Sequence, residues 1–154
     1  VTLLLQRWQK KGSRRPEAIS TFAQFQRQAV QRGLAVTRLD DGSNGIAGGR
    51  WRVRFDFRGR SREMDVRVVG WDPDNAMTLK GESDGVEIDF TLELMSLSRG
   101  RTRMFTSVDL RPKTLSARLL VQSMKLAKKS IAQKLSKRVE DFATGIERRY
   151  SASA

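Results

Sequence analysis

The chain contains no cysteine and no histidine. The first absence excludes disulfides, thiolate metal sites and a cysteine nucleophile. The second removes the Ser-His-Asp triad, the Cys-His dyad and histidine-ligated metals. Only one tyrosine and three prolines are present. Chemistry is therefore left to carboxylates, lysines, Ser/Thr and Tyr150 near the chain end, and neither a metal nor a cofactor is expected. No apolar run approaches the roughly 18 residues needed to cross a bilayer.

What the chain has is positive charge. Thirty Lys and Arg face seventeen Asp and Glu, a net charge of +13 over 154 residues. Residues 1–33 hold seven basic and one acidic residue, and residues 114–154 hold nine and three. Between them the chain is nearly balanced, with fourteen basic and thirteen acidic residues. Basic ends around a neutral middle suit an anionic partner, such as an acidic membrane surface, an acidic protein or RNA. No nucleic-acid motif is present, so nucleic acid is not the expected partner. The length suits one domain with its own core. Val1-Thr2-Leu3-Leu4-Leu5 is too short for an export signal, and the expected compartment is the cytoplasm.

Lys10 to Pro16 reads as a basic loop or tail. Ser20 or Thr21 is placed to cap a short helix to about Gln31, stopped by Gly33. The middle of the chain then alternates with period two, the pattern of half-buried strands. Trp51, Val53, Phe55 and Phe57 alternate with Arg52, Arg54, Asp56 and Arg58; Met64, Val66 and Val68 with Glu63, Asp65 and Arg67. Met77 and Leu79 mark a further strand, Val86 to Leu94 alternates most cleanly, and Arg101 to about Leu110 makes the last strand. Turns are expected at Gly59, at Trp71 to Asn75 and at Ser98-Arg99-Gly100. Such short connections imply an antiparallel meander.

After Pro112 the period changes. Thr114 can cap a long helix whose stripe is Leu120, Met124, Ala127, Ile131, Leu135, Val139, Phe142 and Ile146. A sheet with one apolar face needs a cover, and this helix is the one element large enough.

Three stretches resemble the SRPBCC superfamily, also called START-like or polyketide cyclase/dehydrase and lipid-transport proteins. They are Ala18 to Ala29, with its Ile19-Ser20-Thr21-Phe22 step; Trp71-Asp72-Pro73; and Thr91 to Leu94 with Asp109 to Leu120. The last contains Leu110-Arg111-Pro112-Lys113-Thr114-Leu115-Ser116-Ala117-Arg118, similar to a bacterial subgroup at this junction. None of these motifs is catalytic. The resemblance covers about residues 18–150. It implies an α+β helix-grip fold, a curved antiparallel sheet wrapped around a long C-terminal helix. Residues 1–17 depart from it as an atypical basic segment, in which Leu3-Leu4-Leu5 is a non-alternating candidate for the first strand. Residues 151–154 are read as a tail.

The resemblance further implies an apolar ligand, such as a lipid, quinone or polyketide, held between sheet and helix. Trp51, Phe55, Phe57 and Phe90 on the sheet and Met124, Ile131 and Leu135 on the helix are the expected ligand-binding residues. A mostly apolar lining is usual for such sites. Lys125, Lys128, Lys129 and Lys137 form the candidate surface for an anionic partner. Asp56, Asp65, Asp89 and Glu93 alternate with apolar neighbours and point away from the apolar face. No catalytic residue is assigned, and the reading favours a binding protein over a cyclase/aromatase-like enzyme in the same cavity. A basic-surface binder of RNA, ribosome or anionic membrane is the third reading.

Overall fold

Two-residue turns organise the sheet. Arg58-Gly59 and Asp84-Gly85 both have positive φ at both positions, 54° and 72° in the first, 48° and 74° in the second. This mirror-image turn matches the twist of paired strands. In the computed structural model, which describes residues 2–11, 34–73, 75–98 and 101–153, they join β3 (Arg50–Phe57) to β4 (Arg60–Asp72) and β5 (Ala76–Ser83) to β6 (Val86–Ser98). The sheet is completed by β1 (Thr2–Lys11), β2 (Ala35–Arg38) and β7 (Arg101–Pro112). All seven strands are antiparallel in the order β1-β7-β6-β5-β4-β3-β2. Register shifts at Gln6/Trp8, Val68/Gly70 and Ser96/Ser98 bend the strands.

The strand from Thr2 to Lys11 pairs with β7 along its length, Leu3 opposite Val108 and Leu5 opposite Thr106. Nothing in the period-two reading marks β2, which has four residues and a single buried one, Val36. The expected helix from Ser20 to Gln31 and the turn residues Arg99 and Gly100 lie outside the described residues.

The C-terminal stretch is helical as expected, but in two pieces. Helix α1 covers Leu115–Leu126 and α2 covers Lys128–Ser153, so residues 151–153 continue a helix. The break at Ala127 is one residue wide. Its N–H donates to the Met124 carbonyl at 3.1 Å, a tightened turn, and Ile131 N–H resumes the ladder on the Ala127 carbonyl at 3.0 Å. No proline or glycine lies there to announce it. The apolar stripe nevertheless continues across, with Leu120, Met124, Ala127, Ile131, Leu135 and Val139 all half-buried.

Thr114 caps α1, its hydroxyl accepting from Ala117 N–H at 3.1 Å. The tip of the β5–β6 hairpin docks on this cap. Lys113 N–H donates to the Gly85 carbonyl at 2.8 Å, and a Cβ on Gly85 would meet Thr114 Oγ1 at 2.7 Å. Helix α1 lies on β7, and Ala117 and Val121 bury against Val86 and Leu110. Helix α2 lies along β1, and Val139 packs on Leu92, Leu94 and Met104.

Candidate functional site

Register sorts the sheet into two faces. On the outer face Arg52 pairs with Asp65 at 2.7 Å and Arg54 with Glu63 at 2.5 Å. Lys80 and Arg111 bracket Asp89, and Lys113 reaches Glu87 at 3.2 Å. This is the cross-strand pairing expected of a solvated face, where each pair contributes little. Arg58 is not part of that row. It occupies the β3–β4 turn and donates from Nη1 to Ser123 Oγ on α1 at 2.9 Å. The β3–β4 hairpin and α1 therefore touch.

The inner face carries Trp51, Val53, Phe55 and Phe57 opposite Val66, Met64, Arg62 and Arg60. Among the described strand residues, the titratable groups at inner-face register positions are Lys10, Arg38, Arg60 and Arg62, and none is a carboxylate. Arg62 is the informative one. Its side chain is 19% exposed, it bonds Asp84, and its guanidinium sits 5.7 Å from the centre of the Phe57 ring. Its Nε is buried and has no hydrogen-bond partner. A buried donor left unpaired costs about 1–3 kcal/mol, so a partner at that atom is worth having. The Arg58 guanidinium lies 5.5 Å from the centre of the same Phe57 ring. Sequence reading missed Arg62 because Arg60-Ser61-Arg62-Glu63 is polar throughout. Parity with Met64, Val66 and Val68 was the available signal.

The expected ligand-binding residues fall into separate groups. Trp51 and Phe55 join Leu34 and Val66 around buried Val36 and Val53. Phe57 stands under the two arginines. Phe90 packs with Trp71 against Leu92, Leu94 and Met104, and Met124 packs with the α1 cluster. Ile131 and Leu135 are half-buried on α2. Among the described residues no helix side chain joins the Val36–Val53 cluster. Lys125, Lys128, Lys129 and Lys137 are all exposed.

One rim of this face is fixed by Asp40. Its carboxylate accepts from Arg38 Nη2 at 2.9 Å, from Arg50 N–H at 2.7 Å and from Gly42 N–H at 3.0 Å. Arg38 in turn stacks over Trp51 at 5.3 Å. Gly49 completes the seat, since a Cβ there would meet the Trp51 ring at 2.3 Å. The Arg38 hydrogen bonds, then the backbone donors, hold the Asp40 carboxyl well below the usual carboxylate range. A depressed folded-state pKa contributes stability that is complete above the unfolded value near 3.9 and is lost as pH falls through the folded value. Trp51 fluorescence is therefore expected to hold steady from neutral pH to about pH 4 and to change only in stronger acid. The Asp40→Asn variant should be less stable at neutral pH and lose part of its acid sensitivity. An unchanged acid profile in that variant would contradict this role for Asp40.

Among the described residues no group of acidic side chains is arranged to hold a metal ion, and no helix is long and apolar enough to cross a membrane. By sequence the chain matches no family model and no curated protein. By structure it is similar to the ZhuI aromatase/cyclase from Streptomyces sp. R1128, with a TM-score of 0.66 at 14% identity, over 97% of this chain and 93% of that one. A START superfamily protein from Mycobacterium smegmatis gives 0.56 at 13% identity, over 88% and 98% of the two chains. Norcoclaurine synthase from Thalictrum flavum, in complex with dopamine and hydroxybenzaldehyde, gives 0.55 at 14% identity, over 92% and 88%.

Proposed function

We propose that this chain, which has the helix-grip fold of the START-like superfamily, binds an apolar small molecule between the β3–β4 part of its sheet and its C-terminal helices. The observation that carries the reading is the half-buried inner row Trp51, Phe55 and Phe57, of which Trp51 and Phe55 pack on a Val36–Val53 cluster that holds no described helix side chain. Burial of such rings by a ligand contributes roughly 25 cal/mol per Å² before ordering costs. The likeness to structures described as an aromatase/cyclase and as a synthase with bound dopamine supports a small-molecule ligand.

The polar part of the site narrows the ligand class. Inner-face arginines without a carboxylate suit a molecule ending in a carboxylate, phenolate or carbonyl oxygen. Arg62 Nε is the donor that such an oxygen would satisfy. General acid–base catalysis needs a proton-transfer group at the reacting atoms, and the described inner-face strand positions supply no carboxylate, only three arginines and, at the far β1 edge of the sheet, Lys10. The reading is therefore carriage, of a lipid, quinone or polyketide-like molecule, and a cytoplasmic location goes with it. No cofactor is required.

The test is titration of delipidated protein with cis-parinaric acid and with the corresponding alcohol. Saturable uptake is expected, tighter for the acid. Arg62→Met should weaken acid binding about tenfold and leave the alcohol nearly unaffected. Equal binding of both probes by both proteins would remove Arg62 from the site. Uptake of neither probe would contradict the carrier reading.

A further inference from the structure

We propose that α1 docks the protein onto an anionic phospholipid bilayer through Leu115, Leu119 and Leu126. Leucine is an inner-face residue by preference, yet these three are 76%, 62% and 93% exposed. They are spaced by four and seven residues, so they lie within about 40° of one line along the helix. That line is opposite Ala117 and Val121, which bury against the sheet. The face is therefore a second apolar stripe on α1, pointing away from the fold.

Its surroundings identify the occupant. From Leu115 to Val139 there are seven basic residues and no acidic one: Arg118, Lys125, Lys128, Lys129, Lys134, Lys137 and Arg138. All seven are exposed. Exposed leucines on a helix that carries Arg118 and Lys125 and runs into a stretch of exposed lysines match the boundary between acyl chains and anionic headgroups, with the long lysine stems able to reach the headgroups. A nucleic-acid backbone would meet the lysines but offers the leucines no apolar partner. Ser123, beside this stripe, holds the Arg58 hairpin. Docking would thus bring the hairpin end of the grip to the bilayer. Docking through these leucines requires no ligand in the site.

The test uses the full chain and vesicles of phosphatidylcholine, with and without phosphatidylglycerol. Wild-type protein should sediment with the phosphatidylglycerol vesicles, remain free of the pure phosphatidylcholine ones, and be released as salt is added. Leu115→Ser/Leu119→Ser/Leu126→Ser should weaken binding at least about tenfold. These positions are exposed, so its unfolding curve should match wild type. Because the chain lacks cysteine, Leu126→Cys gives a single labelling site. An environment-sensitive dye there should shift to the blue on phosphatidylglycerol vesicles. Wild type that stays in the supernatant would overturn the proposal. So would a triple variant that binds like wild type, a dye that stays in water while the protein sediments, or tighter binding to duplex DNA than to vesicles at the same salt.

Discussion

Met77→Ala is expected to lower folding stability by about 2–4 kcal/mol. Met77 is 2% exposed and is the largest fully buried side chain among the described residues. It lies at the centre of the sheet, opposite Trp71 on β4 and Leu92 on β6. Truncation removes apolar contacts from both neighbours and leaves a cavity that a three-strand row cannot collapse around. For a domain of this size the loss corresponds to a fall in melting temperature of roughly 5–15 °C. Thermal unfolding followed by circular dichroism measures it. A variant that melts with wild type would show that Met77 is not packed as described.

Phe55→Ala/Phe57→Ala is expected to act in the opposite sense, with a small stability change and a large binding change. Both rings are half-buried, so folding gains less from them than from Met77. A ligand on the inner face would complete their burial. At about 1–1.5 kcal/mol per ring, the pair should lower affinity for an apolar probe by roughly 30- to 150-fold. Probe titration and a melting curve on the same sample separate the two effects. A variant that keeps its affinity would move the site away from the β3 rings. A variant that loses stability as Met77→Ala does would make those rings ordinary core.

Much of the fold was legible because alternation and burial agree. Trp51 to Phe57 and Val86 to Leu94 lie on strands with the expected faces, and Arg52 and Arg54 meet the outer carboxylates Asp65 and Glu63. Legibility failed where the backbone slips. Strict alternation from Val68 would put Gly70 on the inner face and Trp71 outside. The irregularity at Val69 reverses this, and Trp71 packs on Leu92, Leu94 and Met104. The same limit applies at Ala127, where helix-favouring residues on both sides conceal a break. It applies to β2, too short to show a period. At the candidate site the aromatic row was visible, but its arginines were not. Arg62 is polar beside polar neighbours, and only the pairing of Phe55 with Arg62 reveals which face it takes. The exposed leucines of α1 were hidden for a related reason. Leu115, Leu119 and Leu126 sit off the stripe that faces the sheet, and sequence alone does not show that a second stripe is left uncovered.

Native mass spectrometry of the purified protein, with organic extraction of whatever leaves it, tests the central claim most directly. The account predicts one apolar molecule per chain, bearing a carboxylate, phenol or carbonyl group, which survives gentle ionisation and passes into the solvent. A bare polypeptide mass, unchanged after incubation with a long-chain fatty acid, would contradict it.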